Sequence, residues 1–289
     1  MLVLFTDTDT DMTPELAEKY GYHLISMPYS INGEPVYPYE DFEEFDAHTF
    51  YQTLRDGVLP NTSAISKQRY IEYFEPYFAA GDDILYVHFS RAMSVTFNAM
   101  DEAYAELKAK YPERKLYTVD TKGITIISLN IALEVADLYK AGKTAEEILE
   151  WAETEVDHFA VYFFADDLKF FKHSGRVSGL AGTMGTLLGI RPIIYMDAEG
   201  KMVSIGKEKG REKAAERLIK YVEDLGDDIK EHRIIVGNSD VPELAEDIVA
   251  RLKERFGDDL NIVIADVNPT AGSHCGPNAL GICFHSKHR

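Results

Sequence analysis

Short apolar runs alternate with amphipathic stretches along this chain. Leu2 to Phe5 reads as a strand running into a Thr/Asp loop, and Thr13-Pro14-Glu15 opens a helix with threonine as cap and proline in the first turn. His23 to Met27 is a second strand, and Ile31-Asn32-Gly33-Glu34-Pro35-Val36 carries the tight-turn signature of a hairpin. Helices are expected over Asp46 to Leu54 and Ser66 to Phe78. A buried strand, Ile84 to Phe89, is followed by helix Val95 to Lys110, strand Lys115 to Val119, helix Ile124 to Tyr139 and helix Ala145 to Val156.

The pattern then restarts with strand Phe159 to Phe164 and a helical Asp166 to Lys172. A glycine-rich segment, Gly175 to Gly189, follows; within it Gly179-Leu180-Ala181-Gly182-Thr183-Met184-Gly185 lacks the context of a dinucleotide site and reads as close helix packing or as room for a ligand. Ile190 to Met196 and Lys201 to Ile205 pair as an antiparallel hairpin across Asp197-Ala198-Glu199-Gly200. Helix Glu212 to Leu225, strand Arg233 to Gly237, helix Pro242 to Phe256, strand Asn261 to Asp266 and strand Leu280 to Phe284 complete the chain. Strand–helix–strand alternation favours a parallel sheet covered by helices, and the hairpin makes the second sheet mixed. The reading is α/β with two α/β domains, residues 1–157 and 158–289, divided near Asp157.

Charge narrows the partners. Lysine plus arginine is 30 against 49 aspartate plus glutamate, a net charge of −19. A phosphate backbone wants a basic face, so nucleic acid is not expected, nor is an electrostatic dock onto an anionic membrane. No apolar run approaches transmembrane length, and the start, Met1 to Asp7, turns polar too soon for a signal peptide. The two cysteines, Cys275 and Cys283, form no CxxC or zinc spacing and read as unbridged thiols. A cytoplasmic, monomeric protein without metal or cofactor is the expectation.

Ligands of open α/β sheets sit at the carboxyl ends of strands, which singles out four loops. Asp7-Thr8-Asp9-Thr10-Asp11 has alternating carboxylates but neither the glycine nor the distal glutamate of an EF-hand, and reads as a capped, solvated turn in which Asp7 could hold a neighbouring loop. Asn61-Thr62-Ser63-Ala64-Ile65-Ser66 and His88-Phe89-Ser90-Arg91-Ala92-Met93-Ser94-Val95-Thr96 place hydroxyls at helix entrances. Such residues cap backbone N–H groups, and the same geometry also serves an anion. In Asn268 to Asn278, His274 and Cys275 could suggest a base and a nucleophile. Adjacent side chains diverge, however, and no orienting third group is evident, so a histidine donating to an anion is simpler chemistry. Phosphate-loop, GxGxxG, HExxH and GxSxG motifs are absent.

Taken together and in this order, these segments resemble the DegV family over essentially all 289 residues. Phe164-Ala165-Asp166-Asp167-Leu168-Lys169-Phe170-Phe171-Lys172-His173-Ser174-Gly175-Arg176-Val177-Ser178 is similar to the family's DDLxYLxKGGRIS segment, and Leu187-Leu188-Gly189-Ile190-Arg191-Pro192-Ile193 to its LLxIKPIL. Thr6-Asp7-Thr8 with Asp11-Met12-Thr13 is similar to DSTADL. The resemblance implies a bacterial fatty acid carrier: two α/β domains with a long-chain fatty acid between them, its tail in one domain and its carboxylate near the interface. It further implies the acyl-carrying subunit of fatty acid kinase, whose separate ATP-binding subunit phosphorylates the carboxylate to an acyl phosphate. The chain itself would then be no enzyme, and fatty acid and kinase subunit would be its partners.

The site residues follow from the same resemblance. Thr62 and Ser63 match the family's TSQP loop, with Ala64 and Ile65 in place of Gln and Pro. Ser94 matches SxxLSGT, with Val95 replacing a glycine. His274 matches GAHTGPG, with Cys275 replacing Thr and Asn278 the last Gly. Arg176 matches the GGRIS arginine. These five would meet the carboxylate, while Lys209 and Arg211 match a segment that meets the kinase or its phosphate, Lys209 standing where arginine is usual. Neutral donors plus one histidine can satisfy a carboxylate. The tail would supply most of the affinity, at about 0.8 kcal/mol per buried methylene, or on the order of 10 kcal/mol for roughly sixteen carbons. The alternative is a stand-alone acyl hydrolase or transferase using His274 and Cys275.

Overall fold

The computed structural model describes residues 1–178 and 189–289. Most of the glycine-rich segment and Leu187-Leu188 of the family-like stretch lie outside them. The first half contains β1 (Leu2–Asp7), α1 (Pro14–Tyr20), β2 (Tyr22–Ile25), β3 (Tyr29–Ile31), β4 (Glu34–Val36), α2 (Ala47–Arg55), β5 (Asn61–Thr62), α3 (Lys67–Ala80), β6 (Asp83–His88), α4 (Thr96–Lys110), β7 (Leu116–Asp120), α5 (Ile126–Lys140) and α6 (Ala145–Glu155). The second contains β8 (Phe159–Phe164), α7 (Lys169–Ser174), β9 (Val177–Ser178), β10 (Ile190–Met196), β11 (Met202–Lys209), α8 (Arg211–Leu225), β12 (Ile234–Asn238), α9 (Pro242–Phe256), β13 (Ile262–Asp266), α10 (Pro269–Cys275) and β14 (Leu280–His285).

Strands β2-β1-β6-β7 form a wholly parallel sheet. Strands β13-β12-β14-β8-β10-β11-β9 form a mixed one. β10 and β11 pair antiparallel across the expected turn. The hairpin β3–β4 turns on Asn32 and Gly33, both at positive φ (54° and 88°), as a tight two-residue turn requires. β5 joins that hairpin as a small third sheet. The local caps are the ones the sequence carries: the side chains of Thr13, Asp46 and Ser66 each accept a backbone N–H in the first turn of α1, α2 and α3.

Alternation along the strands assigns the layers. In β6, Ile84 and Tyr86 face the core beneath α3 and α4, whereas Leu85 and Val87 face the opposite core. In β14, Ile282 and Phe284 face α8 and α9, whereas Cys283 faces that same central core. The central core is filled by α5. Ten of its residues, from Ile126 to Ala136, are buried, including Ile127, Leu129, Ile131 and Leu133 on different sides of the helix. A helix apolar all round belongs between two layers, and α5 packs against β6 of the parallel sheet and β8, β12 and β14 of the mixed one.

Two expectations need correction. The helix after Phe164 begins at Lys169, not Asp166, because the Asp167 carboxylate caps the Lys169 N–H at 2.8 Å and Asp166 turns to Arg191 and Arg211. The stretch read as a fourth loop is largely helical: Asn268 accepts the Ala271 N–H and Pro269 occupies the first turn of α10.

Because α5 serves both sheets, truncating it should loosen both at once. Leu129→Ala is expected to cost about 2–5 kcal/mol. Urea unfolding followed by circular dichroism should give a lowered midpoint in a single transition.

Candidate functional site

The acidic loop is the largest departure from expectation. Asp7, Asp9 and Asp11, read as solvated, are 0%, 5% and 4% exposed. β1 ends at Asp7, a 3₁₀ turn spans Thr8–Thr10, and Asp11 adopts a left-handed conformation before α1. Each end of the turn holds another loop. Asp7 accepts the Tyr86 hydroxyl at 2.9 Å and the Phe89 N–H at 3.2 Å, the loop-holding role expected of it. Asp11 accepts the Asn268 backbone N–H at 2.9 Å and the Asn268 side-chain amide at 2.7 Å. The Thr8 hydroxyl accepts the Met27 N–H, and Thr270 donates to the Met27 carbonyl. The pattern Asp-Thr-Asp-Thr-Asp looks solvated in isolation; donors from remote segments offset the burial of Asp7, Thr8 and Asp11.

Burial pushes the Asp7 and Asp11 carboxyls up to about 7, against the opposing pull of these hydrogen bonds. Asp9 is raised well above the ordinary carboxyl range, first by burial and then by Asp7 and Asp11 on either side.

The parallel sheet reverses its strand order between β1 and β6, and a crevice opens beyond the carboxyl ends of such neighbours. Here it is a cavity of about 710 Å³. Thr62, Ser63, Ser94, His274 and Arg176 all lie in its wall, so the fold brings together five residues spread over 213 positions of chain (62 to 274). Thr62 arrives on β5, Ser94 on the loop that caps α4, His274 near the end of α10 and Arg176 after α7. Thr62 Oγ1 and His274 Nε2 are 3.0 Å apart, while His274 Nδ1 is buried without a partner among the described residues. Burial, reinforced by Arg176 and His173, lowers the His274 pKa to about 4, so at neutral pH the ring is uncharged and carries one N–H. Arg176 is exposed at the rim and donates to the Ser174 carbonyl at 2.6 Å. The cavity also takes in Asp9, Arg91 and Lys201, which the sequence reading did not select.

A second, narrow cavity of about 60 Å³ adjoins the first. Met93, Ile124, Met202 and His274 belong to the walls of both. Its remaining walls are mostly apolar, with Ile126, Val161, Phe163, Phe171 and Met196 among them. The open polar chamber thus continues into the apolar seam between α5 and the mixed sheet, with His274 at the junction. α10 fits closely there: a Cβ on Gly272 would stand 2.5 Å from the Tyr51 hydroxyl oxygen.

Other selected residues fall elsewhere. Lys209 and Arg211 stand outside both cavity walls, at the end of β11 and the start of α8. Arg211 pairs with Asp166, whereas Lys209 makes no ion pair among the described residues. The hydrolase alternative loses its nucleophile. Burial pushes the Cys275 thiol up to about 12, and its Sγ lies against the Gly276 carbonyl at 3.5 Å rather than against a base. Among the described residues no cluster of His, Cys, Asp and Glu is placed to hold a metal, and no helix is long and apolar enough to cross a membrane.

Two α/β layers thus share one helix, and a polar chamber opens beside it into an apolar seam. The chain belongs to the DegV family: the family's profile, described as an uncharacterised protein family, matches residues 1–287. A DegV domain-containing protein of Clostridium perfringens, CPE0026, is 31% identical over 98% of this chain and 96% of its own length. A DegV family structure from Ruminococcus gnavus with vaccenic acid has a TM-score of 0.86 at 20% identity, covering 98% of this chain and 99% of that one. DegV of Bacillus subtilis, described as a fatty acid binding protein, has a TM-score of 0.83 at 24% identity, covering 99% of each chain. These structures support the two-domain α/β fold read from the sequence.

The acidic turn sets a pH dependence. Asp11 moves from 3.8 to about 7 on folding. Folded protein therefore keeps a proton that the unfolded chain releases, so this contribution is full below the unfolded pKa and is lost as pH rises through about 7. Asp11→Asn keeps an acceptor for Asn268 but cannot ionise. Urea unfolding across this range should show the wild type losing stability relative to the variant, at no more than about 1.4 kcal/mol per pH unit. Parallel curves would contradict the assignment.

Proposed function

We propose that this protein is a long-chain fatty acid carrier that presents the acyl carboxylate to a separate ATP-binding kinase subunit for phosphorylation to acyl phosphate. The observation that carries the binding reading is the junction of the two cavities at His274: a polar chamber for a head group, continuous with an apolar seam for a chain. In this reading Thr62, Ser63, Ser94 and His274 bind the carboxylate, with Arg176 at the rim. Uncharged donors suit a single anionic charge, since they orient it without a buried cation that would need its own partner. The acyl tail passes His274 into the seam lined by Val161, Phe163 and Phe171. The bound fatty acids of the related structures, such as the vaccenic acid of the Ruminococcus gnavus protein, support the same choice of ligand.

The carrier would divide at about Asp157 into residues 1–157 and 158–289, with the ligand between the units, and would act as a cytoplasmic monomer. Phosphorylation belongs to a partner because a free carboxylate is a poor acyl donor and the chain carries no nucleotide motif. Lys209 and Arg211 are the proposed contact with that partner or its phosphate. Their position outside the cavity suits contact with a second protein, and the charge of Lys209, which has no ion pair among the described residues, suits a phosphate.

Native mass spectrometry of the purified protein, followed by lipid extraction, tests the binding reading. A single stoichiometric long-chain fatty acid is expected. His274→Ala should weaken rebinding by about ten- to a hundred-fold, the usual worth of a hydrogen bond to a charged group. A clean apo mass together with no uptake of added fatty acid would sink the carrier reading. Incubation with ATP and the cognate kinase subunit tests the second step. Acyl phosphate should form, and Lys209→Ala should slow it without changing fatty acid affinity.

A further inference from the structure

The head-group chamber contains a polar side chain that the carboxylate site described above leaves unused. Asp9 stands in its wall and is 5% exposed. Its backbone is tied down on both sides, the N–H to Asp7 Oδ1 at 3.1 Å and the carbonyl to the Thr125 N–H at 2.7 Å. Its carboxyl is not: neither oxygen makes a hydrogen bond among the described residues, and Oδ1 is fully buried without a partner. A buried polar group left unmet is costly and rare, and its persistence at a cavity wall points to a partner supplied by a ligand.

The surrounding charges decide what that partner is. Asp7 and Asp11 flank Asp9 along the turn, and both are already hydrogen-bonded to other loops. From the remaining walls come His274, Arg91, Arg176 and Lys201. Arg91 is bound by Asp101 and Lys201 by Glu199, and Arg176 donates to the Ser174 carbonyl. No ion pair joins any of them to Asp9. Burial and two neighbouring carboxyls disfavour a charge there, and an uncharged carboxyl is a hydrogen-bond donor.

We propose that Asp9 is an additional head-group residue that donates its proton in a hydrogen bond to the ligand's carboxylate, the two acids sharing one proton. This rests on the fatty-acid reading. Oxygen-to-oxygen bonds with one ionised partner are short and roughly twice as strong as neutral ones. The pair therefore favours a free acid over an alcohol or ester of the same chain. It also couples retention to pH: once Asp9 ionises, two like charges face each other across the chamber and the ligand is released.

Delipidated full-length protein should be titrated with decanoate below its micelle concentration, whose own carboxylate stays ionised, and with decanol as the uncharged control. Asp9→Ala is expected to lose at least about ten-fold in decanoate affinity while decanol binding is unchanged. Asp9→Asn keeps an N–H donor and should stay within about three-fold of wild type at roughly pH 6, but should weaken less than wild type on going to roughly pH 9, where Asp7 and Asp11 ionise in both proteins. Without ligand, both variants should unfold no more easily than wild type, because each removes an unmet buried carboxyl. Decanoate binding by Asp9→Ala as tight as wild type, or a pH profile of Asp9→Asn parallel to wild type, would overturn the role of Asp9 alone. Wild type that binds neither probe at any pH would overturn the fatty-acid reading, and this inference with it.

Discussion

Withdrawing three carboxyl groups from water within one five-residue turn constrains everything around them. Donors from remote segments offset that cost at the two ends of the turn, Asp7 and Asp11. Asp7 is met by Tyr86 and by the backbone of Phe89, which brings the end of β6 against the end of β1. Asp11 is met by both amide groups of Asn268, which anchors the start of α10 from more than 250 residues away in the chain. The loop that carries Ser94 and the helix that carries His274 are thus held on the same turn. Further ties close the assembly: Ser90 donates to the Gly200 carbonyl at 2.7 Å, and Tyr51 to the Val267 carbonyl at 2.8 Å.

The second constraint is steric. α5 presents apolar residues on all sides and occupies the space between the two sheets. The seam it leaves against the mixed sheet is where the apolar cavity lies. Gly237 and Gly281 line that cavity, and a Cβ on Gly237 would stand 2.6 Å from Ile126. Chamber and seam therefore have two causes that meet: the acidic turn gathers the polar segments at one end of the seam, and the all-apolar helix defines the seam itself.

Much of the fold was legible in the sequence because its signals are local. Alternating apolar runs marked β6 and β8, Asn32-Gly33 marked a hairpin, and Thr13-Pro14 marked a helix start. The family-like segments selected Thr62, Ser63, Ser94, His274 and Arg176, and these do meet in one cavity. The start of α10 was also readable, since Asn268-Pro269 is a cap followed by a first-turn proline, but the glycines and His-Cys pair after it drew the reading toward a loop. Asp9 was missed for a different reason. A polar turn looks solvated unless one knows what covers it, and its cover comes from residues far along the chain.

The sequence by itself determined the α/β class, the order of the elements and the absence of a nucleotide motif. Those depend on periodicity, caps and residue type, which act over a few positions. Only the tertiary structure decided that the acidic turn is buried, that Cys275 is a wall residue with a protonated thiol, that Arg211 is engaged by Asp166, and that the polar chamber opens into an apolar seam. Each of these depends on which distant group removes water from a side chain or supplies its hydrogen bond. Burial and partner identity are properties of the packed chain, and no local pattern encodes them.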